Sequence, residues 1–336
     1  MLEFPLMLIL IIMVALAFDF TNGAHDCANA IATVVSTKVL SPRVAVGMAA
    51  ILNLAGAMLG TEVADTVGKG IVRPEMVMGC QGLVLAALMG AIAWNVITWY
   101  FGIPSSSSHA LVGGLIGSAV AFGGWDTLSL GSIFHKVLVP LFTSPLAGLV
   151  GGYLFMLLLA WVCSHIQAST GSHLFRRLQI LSAAFMAVSH GLNDAQKTMG
   201  IITLALFLFH WIPEVIVPTW VKLACASIMG LGTAIGGWKI IKTMGHRIFK
   251  LEPFHGFAAE TSAALVITTA SHFGAPISTT HIISTAIMGV GASKRLNAVR
   301  WGVAGNLAIA WVLTIPASAA IAAVSFLLLD LVGLGK

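Results

Sequence analysis

The chain has 336 residues, of which 58% are hydrophobic and 9% are charged, and its formal net charge is +5. An ordinary soluble domain is about 25% charged, so this composition excludes one and indicates an all-α polytopic membrane protein. The four cysteines form no Cys-x-x-Cys pair, which argues against a zinc site or a disulfide framework.

The first predicted helix, residues 5–37, contains the polar stretch FTNGAHDCANA at residues 20–30. Apolar sequence flanks this stretch on both sides, so we expect the helix to cross the membrane and to break near Gly23. The remaining elements predicted for the first half, residues 1–164, are a crossing at 43–61, a polar loop at 62–75, a re-entrant helical hairpin at 76–122 with its tip at 104–109, and a crossing at 136–163.

A short cytoplasmic connector, residues 165–177, is predicted to join the first half to the second half, residues 178–336. The elements predicted for the second half are a crossing at 178–209, a crossing at 218–238, a second re-entrant hairpin at 253–292 and a crossing at 298–332.

The two halves repeat one another. The sequence NGAHD, which begins at Asn22, resembles HGLND, which begins 168 residues later at His190. The hairpin tip PSSSSH, which begins at Pro104, resembles PISTTH, which begins 172 residues later at Pro276. A third match, GAMLG with GTAIG, lies between these two in both halves, so the spacing predicts two homologous repeats.

Positive charge predicts the orientation of the chain. Cytoplasmic loops of membrane proteins are enriched in Lys and Arg. Eleven basic residues cluster in the segments that we therefore place in the cytoplasm: Lys38, Arg43, Arg176, Arg177, Lys239, Lys242, Arg247, Lys250, Lys294, Arg295 and Arg300. Each half then crosses the membrane an odd number of times, which predicts an inverted repeat with both termini external. Inverted repeats with broken helices are typical of secondary transporters.

The hairpin tips carry hydroxyl residues directly after a proline that suits a first helical turn. A helix N-terminus offers free N–H groups and a partial positive charge, so hydroxyls beside it predict an anion site. Helix capping or packing is the alternative for either tip alone. The candidate phosphate ligands are Ser105, Ser106, Ser107, Ser108, Ser278, Thr279 and Thr280.

Two acidic residues, Asp26 and Asp194, lie in the repeated motifs at membrane depth, where an isolated charge costs about 2.5–3.5 kcal/mol or more. With the carboxamides of Asn29 and Asn193 they predict oxygen ligation of Na⁺ or a divalent metal ion such as Mg²⁺, and they equally suit proton binding. For Asp194 a local ion pair with Lys197 is the alternative.

Imidazole groups recur in the same motifs, and His25 and His190 are candidates for proton coupling. Hydrogen-bonded packing is the alternative for each. Glu260, in the first arm of the second hairpin, is a further membrane acid and a candidate coupling group.

These motifs resemble those of the inorganic phosphate transporter (PiT) family over essentially the whole chain. The resemblance rests on GAHDCANA in the first half, GLNDAQK in the second and the paired hairpin tips. It implies an inverted-repeat fold, usually a homodimer, that moves phosphate with Na⁺ or H⁺. His25 and Asn53 depart from the sodium-coupled branch and resemble bacterial low-affinity permeases, which use protons and take phosphate as a neutral metal–phosphate complex.

The sequence thus predicts a phosphate symporter of the bacterial inner membrane, with the lipid bilayer as its surroundings, no resident cofactor and no nucleic-acid partner. It does not predict an enzyme. A membrane metalloenzyme that uses the histidines is disfavoured, since no His-Glu-x-x-His pair or similar ligand spacing is present. A sulfate or other oxyanion permease of the same fold and a passive anion channel remain as alternatives. Two buried carboxylates would repel anions in an open pore, which favours a carrier over a channel.

Overall fold

The polar motifs of the two halves lie on two long helices at the centre of the fold. A computed structural model describes residues 3–77 and 80–335, which form helices and loops with one isolated β-bridge between Val72 and Leu128. The helices are α1 (Glu3–Ser36), α2 (Pro42–Ala57), α3 (Glu62–Gly70), α4 (Gln81–Phe101), α5 (Ser107–Gly123), α6 (Leu130–Ile133), α7 (Val139–Val162), α8 (Ala168–Leu208), α9 (Thr219–Ile235), α10 (Trp238–Lys242), α11 (Pro253–His272), α12 (Thr279–Lys294) and α13 (Trp301–Leu331).

Within the described residues, four stretches of helix are long and apolar enough to cross a membrane, namely Leu6–Ser36, Gln81–Phe101, Leu130–Val162 and Trp301–Leu331. The number rises to six when each of two bent helix pairs is taken as one span. The expectation of an integral membrane protein built from many helices is therefore confirmed. Helix α8 is not among these spans, because its buried face carries many polar side chains.

The predicted break near Gly23 is wrong, since α1 is one continuous helix from Glu3 to Ser36. Helix α8 is likewise continuous through the second motif. Gly23 instead permits close packing: a Cβ there would overlap the carbonyl oxygen of Met229 on α9. A Cβ at its repeat counterpart, Gly191, would likewise overlap the carbonyl oxygen of Asn53 on α2.

The bends lie elsewhere, after the second helix of each half. The pair Pro42–Ala57 and Glu62–Gly68 is bent by 73°, so part of the predicted polar loop 62–75 is helix α3. The pair Thr219–Ile235 and Trp238–Arg247 is bent by 63°. Gly236 lies at this second break with a φ of +79°, a conformation that glycine adopts without steric cost.

Within each predicted hairpin range, two helices pack against one another. Helices α4 and α5 form one pair, and α11 and α12 form the other. Helix α8 begins at Ala168, so most of the predicted connector 165–177 belongs to this helix.

Two apolar clusters divide the interior. One contains the first part of α1, the α4–α5 pair and the last part of α8, while the other contains the last part of α1, the α11–α12 pair and the first part of α8. Helices α1 and α8 therefore run between the clusters in opposite directions. The polar motifs lie where each helix passes from one cluster to the other.

The halves also exchange packing partners. Helix α1 packs on α9, and α8 packs on α2. The second arm of each hairpin also packs on a helix of the other half: α5 packs on α13, and α12 packs on α7. Each half therefore completes the packing of the other, and the polar motifs of both halves come together.

Candidate functional site

Each hairpin tip ends in a helix N-terminus that a serine caps. The hydroxyl oxygen of Ser106 accepts a hydrogen bond from the backbone N–H of His109 at 3.2 Å, and Ser278 accepts one from His281 at the same distance. The capping alternative is therefore realised for these two residues. Both N-termini are buried inside the protein, where the partial positive charge of a helix end is screened less than at a surface.

Asp26 is the meeting point of both tips. Ser107, from the first tip, donates its hydroxyl to Oδ2 of Asp26 at 2.6 Å. Thr280, from the second tip, donates to Oδ1 at 3.2 Å. The Nδ1 atom of His25 lies 2.7 Å from the same Oδ1. The carboxylate is buried and meets polar groups from α1, α5 and α12.

Asp194 has a matching environment. Thr279 donates its hydroxyl to Oδ2 of Asp194 at 2.9 Å, and the Nε2 atom of His190 also lies 2.9 Å from this oxygen. Lys197 forms an ion pair with Oδ1. The alternative that the sequence left open for Asp194, a local pair with Lys197, is therefore present, and the hydroxyl contact exists beside it.

The two acids lie together. One ligand atom from each of Asp26, His190 and Asp194 falls within 4.8 Å of the others. Two carboxylates and an imidazole are a donor set that divalent transition-metal ions such as Zn²⁺ accept, whereas Na⁺ and Mg²⁺ favour oxygen ligands alone. These atoms are close enough for one cation to contact both halves of the chain.

The two asparagines differ in their partners. Asn29 donates from Nδ2 to the hydroxyls of Thr279 and Thr280, at 3.1 Å and 2.9 Å, so it joins the second tip to α1. Asn193 donates to Ser271 at 2.7 Å, on the last turn of the arm that precedes that tip. Asn29 therefore belongs to the centre around the two acids, while Asn193 ties α8 to α11.

The remaining hydroxyls of the first tip also find partners. Ser105 donates to Thr98 at 2.9 Å and lies 3.4 Å from Nε2 of His25. Ser108 donates to the carbonyl oxygen of Ile277 at 3.2 Å and accepts a hydrogen bond from Lys197. The first tip thus contacts polar groups of both repeats.

Glu260 lies in a separate polar cluster. It accepts hydrogen bonds from Thr33 and Ser182, and from Gln179 at 3.3 Å. Among the described residues it shares no hydrogen-bond partner with Asp26 or Asp194. The carboxylate is fully buried between α1, α8 and α11.

Sequence reasoning missed several members of these clusters. Lys197 was treated only as a local partner of Asp194, although it reaches across to the first tip. Thr98, whose hydroxyl lies 3.1 Å from Nε2 of His25, was not predicted at all. The repeat offered a signal, because Ser271, the partner of Asn193, lies on the corresponding last turn of the other hairpin's first arm.

The fold and this site define a helical integral membrane protein with a polar centre. That centre joins two buried carboxylates to the N-termini of two paired helices. The similarity of the chain to known proteins identifies the family.

The profile of the phosphate transporter family matches residues 22–322. A probable low-affinity inorganic phosphate transporter of Bacillus subtilis is 47% identical over 325 residues, which cover 96% of this chain and 97% of the relative. A protein with the same description from Rhizobium meliloti is 48% identical and covers 98% of each chain. A solved structure described as "The sodium-dependent phosphate transporter" matches with a TM-score of 0.84 at 26% identity, over 97% of this chain and 99% of that one.

The chain belongs to the phosphate transporter family. This confirms the family that the paired motifs indicated. It also confirms, through the family's character, that the protein is a transporter and not an enzyme.

Proposed function

We propose that this protein is a secondary active symporter that moves inorganic phosphate, alone or as a metal–phosphate complex, together with H⁺ or Na⁺ by alternating access. The observation that carries the proposal is the shared centre of the two repeats. Hydroxyls from both hairpin tips donate to buried carboxylates, as Ser107 and Thr280 do to Asp26 and Thr279 does to Asp194.

In this proposal, the hairpin tips bind phosphate. The tip hydroxyls and the free N–H groups of α5 and α12 are donors that suit an oxyanion. When phosphate enters, Ser107, Thr279 and Thr280 turn their hydroxyls from the carboxylates to the phosphate oxygens. The roles proposed for Ser105 and Ser108 are further hydrogen bonds to the same anion, while Ser106 and Ser278 hold the helix ends in place.

The carboxylates of Asp26 and Asp194, once the hydroxyls have turned to phosphate, bind the cation. Asp26, Asp194 and Asn29 supply oxygen ligands for Na⁺ or a divalent ion, and His25 or His190 supplies a proton-binding group where H⁺ is the coupling ion. Asn193 positions the second motif through Ser271. Glu260 is proposed as a coupling group at a distance from this centre. Carrying phosphate through a low-dielectric interior without cations would be prohibitively costly.

Alternating access is proposed to follow from an inverted repeat. The opposite directions of α1 and α8 and the exchange of packing partners between halves support this arrangement. Both termini would then face outward, at the cytoplasmic membrane of a bacterium, and a homodimer is the assembly that the family resemblance implies.

The test is ³²P-phosphate uptake into proteoliposomes under separate Na⁺ and H⁺ gradients. We expect one gradient to drive accumulation above equilibrium and excess unlabelled phosphate to compete more strongly than sulfate. Accumulation that only sulfate suppresses would indicate an oxyanion permease of different specificity. Equilibration without accumulation under either gradient would indicate a passive channel and would contradict the proposal.

A further inference from the structure

At one position of their shared centre the two halves differ by the positive charge of a lysine. The 168-residue spacing that pairs Asp26 with Asp194 also pairs Asn29 with Lys197. We propose that Lys197 is a tethered cation that permanently fills the second-half counterpart of the cation site at Asp26 and Asn29. The protein would then carry one cation fewer per phosphate than two equivalent sites would require. This inference rests on the proposed function, since it assigns the cation number of that same site.

The surroundings of Lys197 are those of a bound cation. Its Nζ atom contacts Asp194 and Ser108, and it lies 3.2 Å from the carbonyl oxygen of Ile277. Ser108 donates its own hydroxyl to that carbonyl, so its lone pairs face the lysine. A carboxylate, a hydroxyl and a carbonyl oxygen match the three donors of an ammonium group. They are also the ligand types that hard metal cations take.

The site around the first-half motif has a carboxylate and a hydroxyl in the corresponding places, without the lysine. Thr280, 172 residues after Ser108, donates to Asp26 at 3.2 Å. Asn29 donates from Nδ2 to Thr280 at 2.9 Å, while its Oδ1 atom is buried and has no hydrogen-bond partner among the described residues. A buried, unpaired carbonyl oxygen is costly. Asn29 and Asp26 share Thr280 as a hydrogen-bond partner, so this oxygen is a candidate ligand for a cation from outside the chain.

The charge balance of the centre agrees with this asymmetry. Asp26 and Asp194 bring two negative charges, and Lys197 brings one positive charge from the same buried region. Asp19 is a further buried acid, which accepts a hydrogen bond from Thr198 on α8. With Asp19 protonated and the histidines neutral, one monovalent cation balances the charge of these groups. Were Lys197 neutral, two cations would be needed.

A direct bond from Lys197 to phosphate is the competing role, because lysine also binds phosphate as a point charge. The two roles separate when Lys197 is replaced by the residue that the first half uses. Lys197→Asn removes the tethered charge and leaves a second oxygen site that an added cation can fill. A lysine that binds phosphate itself would not be replaced in this way.

The experiment measures ³²P-phosphate binding to the purified full-length protein in choline chloride, with Na⁺, Li⁺, Mg²⁺ or a lower pH as the added variable. We expect Lys197→Asn to bind phosphate at least about a hundredfold more weakly in choline, because one carboxylate is left uncompensated. At least one of these cations should restore most of that loss. Lys250→Asn, at an exposed position, is the control for removing a lysine.

A second variant tests the charge argument where the first is unstable. Asp194→Asn combined with Lys197→Asn removes both charges, so it should bind phosphate more tightly in choline than Lys197→Asn alone. Thermal unfolding of the single variant should also shift upward with the restoring cation by more than that of the double variant, in which the site at Asp26 and Asn29 is the one that remains.

Three results would overturn the inference. These are unchanged phosphate binding by Lys197→Asn in choline, a loss that no cation and no pH restores, and a double variant as weak as the single one. Wild-type binding in the same buffers tests the proposed function separately. A wild-type protein that binds no phosphate defeats that function, whereas the three results above leave it standing.

Discussion

Thr280 donates its hydroxyl to Oδ1 of Asp26 at 3.2 Å, although 254 positions separate the two residues in the chain. This bond docks the tip of the second hairpin onto the motif of the first half. The counterpart contact joins Ser108, on the first tip, to Lys197 of the second motif. A movement of either hairpin relative to α1 and α8 must therefore break bonds to the charged groups, which couples the position of the hairpins to what those groups bind.

Ser107→Ala should weaken phosphate binding. It removes a hydroxyl that donates to Asp26 at 2.6 Å and that we assign to phosphate. Loss of one hydrogen bond to a charged group costs about 1.5–3 kcal/mol, or roughly tenfold or more in the dissociation constant. Binding of ³²P-phosphate to the purified variant measures this.

Ser106→Ala is the matched control on the neighbouring residue. Its hydroxyl caps α5, so its loss should lower the free energy of unfolding by about 1 kcal/mol. Ser106→Thr should keep the cap. Phosphate affinity that is unchanged in Ser107→Ala and in Thr279→Ala would remove the tips from the binding site.

Gly23→Ala should destabilise the protein, because its Cβ would overlap the carbonyl oxygen of Met229. Overpacking of this kind costs about 1–3 kcal/mol. Gly47→Ala is the matched control, since a Cβ there meets nothing within 4 Å and alanine favours the helix by about 0.5–1 kcal/mol. In thermal unfolding measured in detergent, the midpoint temperature should be lowered in Gly23→Ala and not in Gly47→Ala. Equal midpoints would mean that α1 and α9 do not pack at Gly23.

Gly23 shows a limit of prediction from the sequence. The family could be predicted, and so could the proximity of the hairpin tips to the two acids, because both depend on local motifs that recur at a fixed spacing. The continuity of α1 could not be predicted. A glycine among polar residues suits a helix break and a close helix contact equally well, and the deciding contact, with α9, comes from the other half of the chain.

Lys197 illustrates the same limit. Its spacing to Asp194 predicts a local ion pair, which the structure contains. Its contact with Ser108 depends on how the first hairpin packs against α8. No sequence pattern within either segment predicts that packing.

Glu260→Gln should uncouple transport while leaving phosphate exchange in place. The carboxylate accepts hydrogen bonds from Thr33, Ser182 and Gln179, away from the partners of the two central acids. We expect gradient-driven ³²P accumulation in proteoliposomes to fall about tenfold or more, with phosphate counterflow retained. Glu75→Gln, at an exposed position, is the control. Normal accumulation in Glu260→Gln would exclude this residue from coupling.

Arg177→Cys should react with a membrane-impermeant maleimide only from the cytoplasmic side. Arg177 is exposed at the start of α8 and belongs to the basic clusters that we place inside. Asp65→Cys, exposed on α3, should react only from outside. Both are made in a background without the native cysteines, in right-side-out and inverted vesicles. External labelling at position 177 would contradict the inverted topology.

In the proposed mechanism, Asp26 supplies a buried negative charge to a cation that accompanies phosphate. Asp26→Asn keeps the shape of the side chain and removes that charge. The most direct test is ³²P-phosphate uptake by this variant in proteoliposomes under the gradient that drives the wild-type protein, with Asp65→Asn as an exposed control. We expect uptake by Asp26→Asn to fall about a hundredfold or more while the control transports normally. Uptake by Asp26→Asn at the rate of the wild-type protein would contradict this role of Asp26.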